Sequence, residues 1–165
     1  KARIVHQIAV GAIKWNDLAQ DAKNAIVFDW DKATNIQGNS AARVQYSGVR
    51  ANAILNSAGV TKEQLSQISP DLSNRAFSPE ERQLIKSLSE YPQTLADAQK
   101  YNSPDKIAKY VSGVATRFNA FYDKVSVLKD TDIESRNSKL QLVAATAQVI
   151  ENALGILGIE VPEEM

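Results

Sequence analysis

The sequence contains no cysteine, and it contains only one histidine and one methionine among its 165 residues. Without cysteine the chain has no disulfides, no thiolate metal sites and no thiol nucleophile. His6 stands alone, so it offers neither a paired-histidine metal motif nor a convincing catalytic triad. Glycine-rich phosphate loops and nucleophile elbows are also missing. We therefore expect no catalytic residue and no cofactor site within this chain.

The sequence also lacks an excess of charge of either sign, because 19 Lys and Arg residues balance 19 Asp and Glu residues. A chain with no basic excess is not a general binder of polyanions, so binding of nucleic acid would depend on a local patch. Apolar runs long enough to cross a membrane and signal-peptide patterns are absent. We expect a cytoplasmic protein that binds neither membrane nor DNA.

The spacing of the acidic residues also argues against a calcium site. Asp29 and Asp31 are two residues apart, as in a calcium loop. However, Ala33 and Thr34 stand where an oxygen ligand and a glycine belong, and Ser40 stands where the bidentate glutamate belongs. We predict no metal there.

What the sequence has in abundance is helical periodicity. Apolar residues recur at three- and four-residue intervals, as in amphipathic helices packed in a bundle. The predicted helices cover residues 3–18 and 39–58, a segment from Ser78 that Pro92 divides into two, and residues 103–128 and 131–157. The fold class is therefore all-α, a bundle of five to six helices. Residues 25–30 are predicted to be an extended connector, and 61–77 a surface loop with a short helical turn.

The last two helices have clear start signals. Ser103 followed by Pro104 is typical of a cap and a first helical position. Thr131 and Glu134 have the spacing of a capping box. Leu142, Val149 and Ile156 give the last helix a second apolar flank, so we expect it to be buried between neighbours.

The helix over residues 39–58 has two different faces. One carries small and apolar residues suited to close packing, namely Ala41, Val44, Gly48, Ala51 and Leu55. The roughly opposite face carries Arg43, Tyr46 and Arg50. Arginine pairs with phosphate and tyrosine offers a stacking surface, a combination that can hold unpaired RNA. The pattern alone fits a solvated helix face with a half-buried tyrosine slightly better.

A second candidate patch lies on the helix over residues 103–128. Lys106, Arg117 and Lys124 fall within a narrow arc, with Lys109 nearby, so they could follow a phosphate backbone or form a solvated flank. Tyr122 lies at the other edge of the apolar stripe and is interpreted from its position as an edge-of-core residue.

Taken together, these segments resemble the C-terminal part of arginyl-tRNA synthetase, including its helical anticodon-binding domain. The resemblance extends over the whole chain and depends on the order and spacing of several stretches rather than on one motif. They are Val10-Gly11-Ala12-Ile13-Lys14-Trp15, Ile26-Val27-Phe28-Asp29-Trp30-Asp31-Lys32, Gly38-Asn39-Ser40, Gln45-Tyr46, Arg50, Tyr91-Pro92, Phe118-Asn119-Ala120-Phe121-Tyr122 and the ending from Leu157 to Met165.

The resemblance implies an anticodon-binding domain of the class I synthetase type over residues 39–165. Residues 1–38 would then hold the end of a catalytic domain, a connector helix and an extended segment. ATP would bind to that catalytic domain, upstream of Lys1. Because the only methionine is Met165, we expect this chain to be the C-terminal piece of a longer protein.

The resemblance also implies that the chain's partners are its own catalytic domain and the anticodon loop of an arginine tRNA. The expected RNA-binding residues are Tyr46, Arg50, Tyr122 and Met165, to which the two patches above add Arg43 and Lys124. Arg43 stands where many relatives carry a tyrosine, and Glu164 where an arginine commonly precedes the final methionine. The alternative, favoured by the zero net charge, is a helical protein-interaction or regulatory module with no RNA role.

Overall fold

The computed structural model describes residues 1–21, 23, 25, 27–73 and 75–165, and within these ranges every regular element is helical. This confirms the all-α prediction. The helices are α1 (Ala2–Leu18), α2 (Trp30–Ala33), α3 (Ala41–Ala58), α4 (Lys62–Ser66), α5 (Pro79–Ser89), α6 (Tyr91–Tyr101), α7 (Pro104–Lys124) and α8 (Ile133–Ile156).

The six helices with eleven or more residues correspond to the six predicted segments, α4 is the short helical turn predicted within residues 61–77, and α2 is a short addition. Local signals explain where several begin. Ser78 and Glu81 form a reciprocal capping box at the start of α5. Pro92 lies in the first turn of α6, where its missing N–H costs nothing, so it separates α5 from α6 as predicted.

The core is formed mainly by α3, α7 and α8, which pack against one another. The largest fully buried apolar side chains on these helices are Val44, Val111, Val114, Phe118, Phe121, Val143, Ile150 and Leu154. All five small and apolar residues predicted for the inner face of α3 are buried. Helix α5 covers α7 and contributes Leu84, which is also fully buried.

Helix α7 is shorter than predicted. It ends at Lys124, and Val125 has an extended backbone with φ −110° and ψ 115°. The helix therefore ends four residues before Leu128, where the predicted helix ended. Val127 is buried instead, whereas Leu128 is 39% exposed. Ser103 precedes the helix, but its hydroxyl donates to Asp105 and makes no capping bond to the backbone.

The capping box predicted for α8 is wrong. The capping residue is Asp132, whose carboxylate accepts from the Ser135 N–H, rather than Thr131. Glu134 is not part of a capping box, because its carboxylate accepts from the backbone N–H of Asp71 at 2.8 Å. The second apolar flank is only partly covered, and Ile156 is 55% exposed.

Helix α1 packs on α3, with Gly11 and Ala12 buried. The segment after α8, residues 158–162, is termed the C-terminal tail. It lies against both helices, because the Gln45 amide of α3 donates to the Glu160 carbonyl at 2.7 Å and the Gln7 amide of α1 donates to the Glu160 carboxylate at 2.6 Å. At Gly48, a Cβ would lie 3.0 Å from Val161 and 3.3 Å from Ile150, so the glycine allows the tail and α8 to pack closely on α3.

The connecting segments match their predictions only in part. Residues 25 and 27–29 have no regular structure, consistent with a connector, and Ile26 lies outside the described residues. Asp29 caps α2 by accepting from two backbone N–H groups, which gives this aspartate a structural role. The loop over 61–77 contains α4, and Asn74 lies outside the described residues. None of the described helices is long and apolar enough to cross a membrane.

Candidate nucleic-acid interface

Helix α3 supplies the first half of the candidate site. Ser40 caps the N-terminus of α3, because its hydroxyl accepts a hydrogen bond from the Arg43 N–H. This bond fixes where the helix begins, and Tyr46 follows Arg43 by one turn. Tyr46 and Arg50 are four residues apart and therefore adjacent on the helix surface. Both are partly exposed, as is Arg43, while the opposite face of α3 is buried.

Helix α7 supplies the second half, Tyr122. Its ring is 41% exposed and lies against the fully buried Phe118, with ring centroids 6.4 Å apart. The Arg50 guanidinium carbon lies 4.4 Å from the centroid of the Tyr122 ring and 4.7 Å from that of Tyr46. Each such cation–π contact is worth about 0.5–1 kcal/mol at an exposed site. We call Tyr46, Arg50 and Tyr122 the tyrosine–arginine cluster.

The structure adds two residues to this region that were not predicted as site residues. Asn119 accepts a hydrogen bond from Arg50 through Oδ1 at 3.3 Å, and its amide donates to Ser47 Oγ at 3.1 Å. Asn119 precedes Tyr122 by three residues and so shares its face of α7, which is the signal that could have identified it. Ser47 is fully buried, and it precedes Arg50 by three residues, so the same spacing could have placed it beside the cluster.

Two other predicted residues have no described contact with the tyrosine–arginine cluster. Arg43 is on the same face of α3, one turn before Tyr46, and no ion pair to it is found within the described ranges. Met165 is 41% exposed and follows the tail that packs on Gly48. Binding of RNA by the predicted residues stays a prediction.

The predicted line of cations on α7 is largely occupied by intramolecular contacts. Lys124 donates to the Glu80 carboxylate at 2.8 Å, and this bond raises the pKa of Lys124 and lowers the pKa of Glu80. Lys109 is paired with Asp105 at 2.6 Å, and Arg117 donates to the Gly113 carbonyl. Of the two interpretations, the solvated flank therefore fits the structure better.

A nearby pocket also contains several cations, but acidic partners neutralise most of them. It is lined in part by Arg75, Glu81, Lys124, Asp130 and Lys139. Arg75 is paired with Glu81, and Lys139 with Asp130. Hydrogen bonds from Lys139 and Ser135 lower the pKa of Asp130 to about 2, so this carboxylate stays ionised at neutral pH. Lys124 is paired with Glu80, so Lys129 is the one cation of this lining without an ion pair among the described residues, which leaves only a small positive charge for RNA in this pocket.

The fold and the exposed tyrosine–arginine cluster are those of a helical domain that can present aromatic and cationic groups to RNA. Residues 44–165 match the sequence model of the DALR anticodon binding domain. The chain belongs to this family of anticodon-binding domains. The match includes α3 from Val44 onward, α7 and α8, and therefore every residue of the cluster.

The sequence is similar over its whole length to arginine–tRNA ligases. It is 35% identical to that of Chloroflexus aurantiacus over 165 residues, which is 100% of this chain and 28% of the relative. It is 36% identical to that of Ignicoccus hospitalis over 164 residues, 98% of this chain and 25% of the relative. The chain thus spans about a quarter of the length of these curated relatives.

Solved structures give the same result for the fold. The arginyl-tRNA synthetase of Thermus thermophilus superimposes with a TM-score of 0.87 and 29% identity, over 96% of this chain and 27% of that one. The enzyme of Plasmodium falciparum gives a TM-score of 0.84 and 25% identity, over 99% of this chain and 28% of that one. These matches confirm the resemblance and the architecture inferred from the sequence.

Proposed function

We propose that this chain recognises the anticodon loop of an arginine tRNA, as part of an arginine–tRNA ligase. The observation that carries the proposal is the tyrosine–arginine cluster, in which Arg50 lies over the rings of Tyr46 and Tyr122 within a domain of the anticodon-binding family. Recognition of the arginine anticodon in particular is supported by similarity to arginine–tRNA ligases along the whole chain.

The geometry suits an unpaired loop better than a duplex. Bases in a loop can leave the stack and place their faces on an aromatic side chain, and Tyr122 has an exposed ring that the buried Phe118 supports from behind. Arg50 uses one N–H on Asn119 and keeps other donors for phosphate oxygens or base edges. Because the net charge is zero, this chain alone should bind tRNA weakly.

The remainder of the proposed enzyme would supply the chemistry. Residues 39–165 would form the anticodon-binding domain, and residues 1–38, including α1 and α2, would lead from the catalytic domain. ATP would bind to that domain, since the present sequence has no glycine-rich phosphate loop and no residue here is assigned to ATP. We propose a cytoplasmic location, in keeping with a role in translation.

The proposal is tested by measuring, at low salt, the affinity of this chain for an arginine tRNA transcript. The matched control is the same transcript with its middle anticodon base changed. We expect tighter binding to the unaltered anticodon. Equal weak binding to both would show that charge alone attracts the RNA, and no binding by the folded protein would favour the interaction-module alternative.

That alternative would use an apolar surface rather than the tyrosine–arginine cluster. An open apolar groove does lie between α6, the start of α7 and the end of α8. Its lining residues include Leu95, Ile107 and Ile156. The family match favours RNA recognition over this use of the groove.

Replacing Tyr122 by alanine should weaken binding of arginine tRNA by ~1–3 kcal/mol, because one base would lose its stacking surface. A filter-binding or fluorescence titration would measure the difference. Tyr101→Ala is the matched control: Tyr101 is 59% exposed, lies at the end of α6 and touches lysines rather than the cluster. Unchanged affinity of a folded Tyr122→Ala variant would remove Tyr122 from the site.

A further inference from the structure

Asn119 connects the two helices that form the tyrosine–arginine cluster. Its Oδ1 accepts from Arg50 Nη1, and its Nδ2 donates to the hydroxyl of Ser47. The Ser47 hydroxyl in turn donates to the Arg43 carbonyl at 3.1 Å. One hydrogen-bonded chain therefore runs from the Arg50 guanidinium on α3, through α7, and back to the backbone of α3.

This network allows only one orientation of the Asn119 amide. Arginine donates and never accepts, so Arg50 requires the amide oxygen. The single hydroxyl proton of Ser47 is used on the Arg43 carbonyl, so Ser47 can only accept from Asn119. Because Ser47 is fully buried on the inner side of α3, the anchor that it provides for Asn119 does not depend on solvent.

The consequence concerns Arg50. An arginine free in solvent samples many rotamers, and ordering it during binding costs entropy. Here two tyrosine rings and the Asn119 oxygen hold the guanidinium before any ligand arrives. Preorganisation of this kind raises affinity by lowering the cost of binding.

We propose that Asn119, anchored by Ser47, is a positioning residue for RNA recognition: it holds Arg50 over Tyr46 and Tyr122 so that the remaining guanidinium N–H groups meet an acceptor on an unpaired nucleotide. This proposal builds on the function proposed above. It assigns to Asn119 and Ser47 an indirect role through Arg50, without contact between either residue and RNA.

The test is a double-mutant cycle on binding of the arginine tRNA transcript, with the variants Asn119→Ala, Arg50→Met and both together. We expect Asn119→Ala to lower the affinity about fivefold in the wild-type background, the loss typical of one hydrogen bond. In the Arg50→Met background it should have no further effect, because the group that Asn119 positions is gone. A purely structural role for Asn119 would reduce affinity by the same factor in both backgrounds and would overturn the proposal.

Two further variants complete the experiment. Asn152→Ala removes an exposed asparagine of α8 whose side chain, among the described residues, bonds only to Gln148, and it should leave affinity unchanged. Ser47→Ala releases the anchor of Asn119 with less change in volume, and it serves if Asn119→Ala does not fold. Its effect should also disappear in the Arg50→Met background, and an undiminished effect there would overturn the proposal.

The transcript with the altered middle anticodon base separates failure of this proposal from failure of the proposed function. If the wild-type chain prefers the unaltered anticodon and the Asn119 and Ser47 variants bind as tightly, only the positioning role is excluded. If the wild-type chain shows no preference, the proposed function fails, and the positioning role fails with it.

Discussion

Replacing Glu81 by glutamine should lower the free energy of unfolding by about 3–5 kcal/mol, because it leaves a buried arginine without its counter-charge. The side chains of Arg75 and Glu81 are 9% and 3% exposed, and they pair where the 61–77 loop meets α5. Arg75 also bonds to Ser135 and Ser138 of α8, so the pair ties three segments together. Glutamine can keep the capping box through its amide oxygen, but its NH2 group then faces the Arg75 guanidinium, so the charge and this hydrogen bond are lost together. Urea unfolding followed by circular dichroism would measure the loss.

The matched control is Glu80→Gln, one residue earlier on α5. Glu80 pairs with Lys124, whose side chain is 67% exposed, and such surface pairs contribute about 0–1 kcal/mol. A double variant that also changes Arg75 to methionine should recover part of the stability lost by Glu81→Gln, since it removes the unpaired charge. If Glu80→Gln and Glu81→Gln lowered the free energy of unfolding by the same amount, burial of the Arg75–Glu81 pair could not be the cause.

Replacing Phe118 by alanine should cost about 3–5 kcal/mol of stability, through lost apolar burial and the cavity left behind. Phe118 is fully buried on α7, and its ring centroid lies 6.2 Å from that of Phe121. Because the ring also supports Tyr122, the folded fraction of this variant should bind arginine tRNA less tightly. Thermal unfolding and the tRNA titration would measure the two effects separately.

Phe28→Ala is the control for Phe118→Ala. Phe28 is 37% exposed, and its described aromatic contact is an edge-on one with Trp30 at 4.7 Å. Its replacement should cost about 1 kcal/mol or less, since exposed side chains leave no closed cavity. A loss of the same size in both variants would contradict a core role specific to Phe118.

Much of the fold could be predicted because helical signals are local in the sequence. The inner face of α3 was identified from spacing alone, since residues three and four apart must lie on the same side of a helix. The Ser78 capping box and Pro92 marked helix starts for similarly local reasons. The end of α7 was predicted wrongly, because apolar periodicity continued to Leu128 although the helix stops at Lys124. Periodicity shows which residues share a face but does not show where the hydrogen bonding ends.

The site was predictable only within each helix. Tyr46 and Arg50 were paired from the sequence because they are one turn apart, and the same spacing could have joined Asn119 to Tyr122. Tyr122 entered the site through family resemblance, whereas its position alone suggested the edge of the core. The contacts between Arg50 and Asn119, and between Lys124 and Glu80, join residues that are 69 and 44 positions apart.

The sequence by itself therefore determined the all-helical class, the positions of the six long helices, the face of α3 that carries Tyr46 and Arg50, and the family. Only the tertiary structure decided that Arg50 lies over Tyr122, that Asn119 and Ser47 hold it, and that Lys124 is paired with Glu80. Backbone hydrogen bonds and side-chain spacing act over a few residues, so the sequence displays them directly. Contacts between helices depend on how whole faces pack together, and that packing is settled by the shape of the common core.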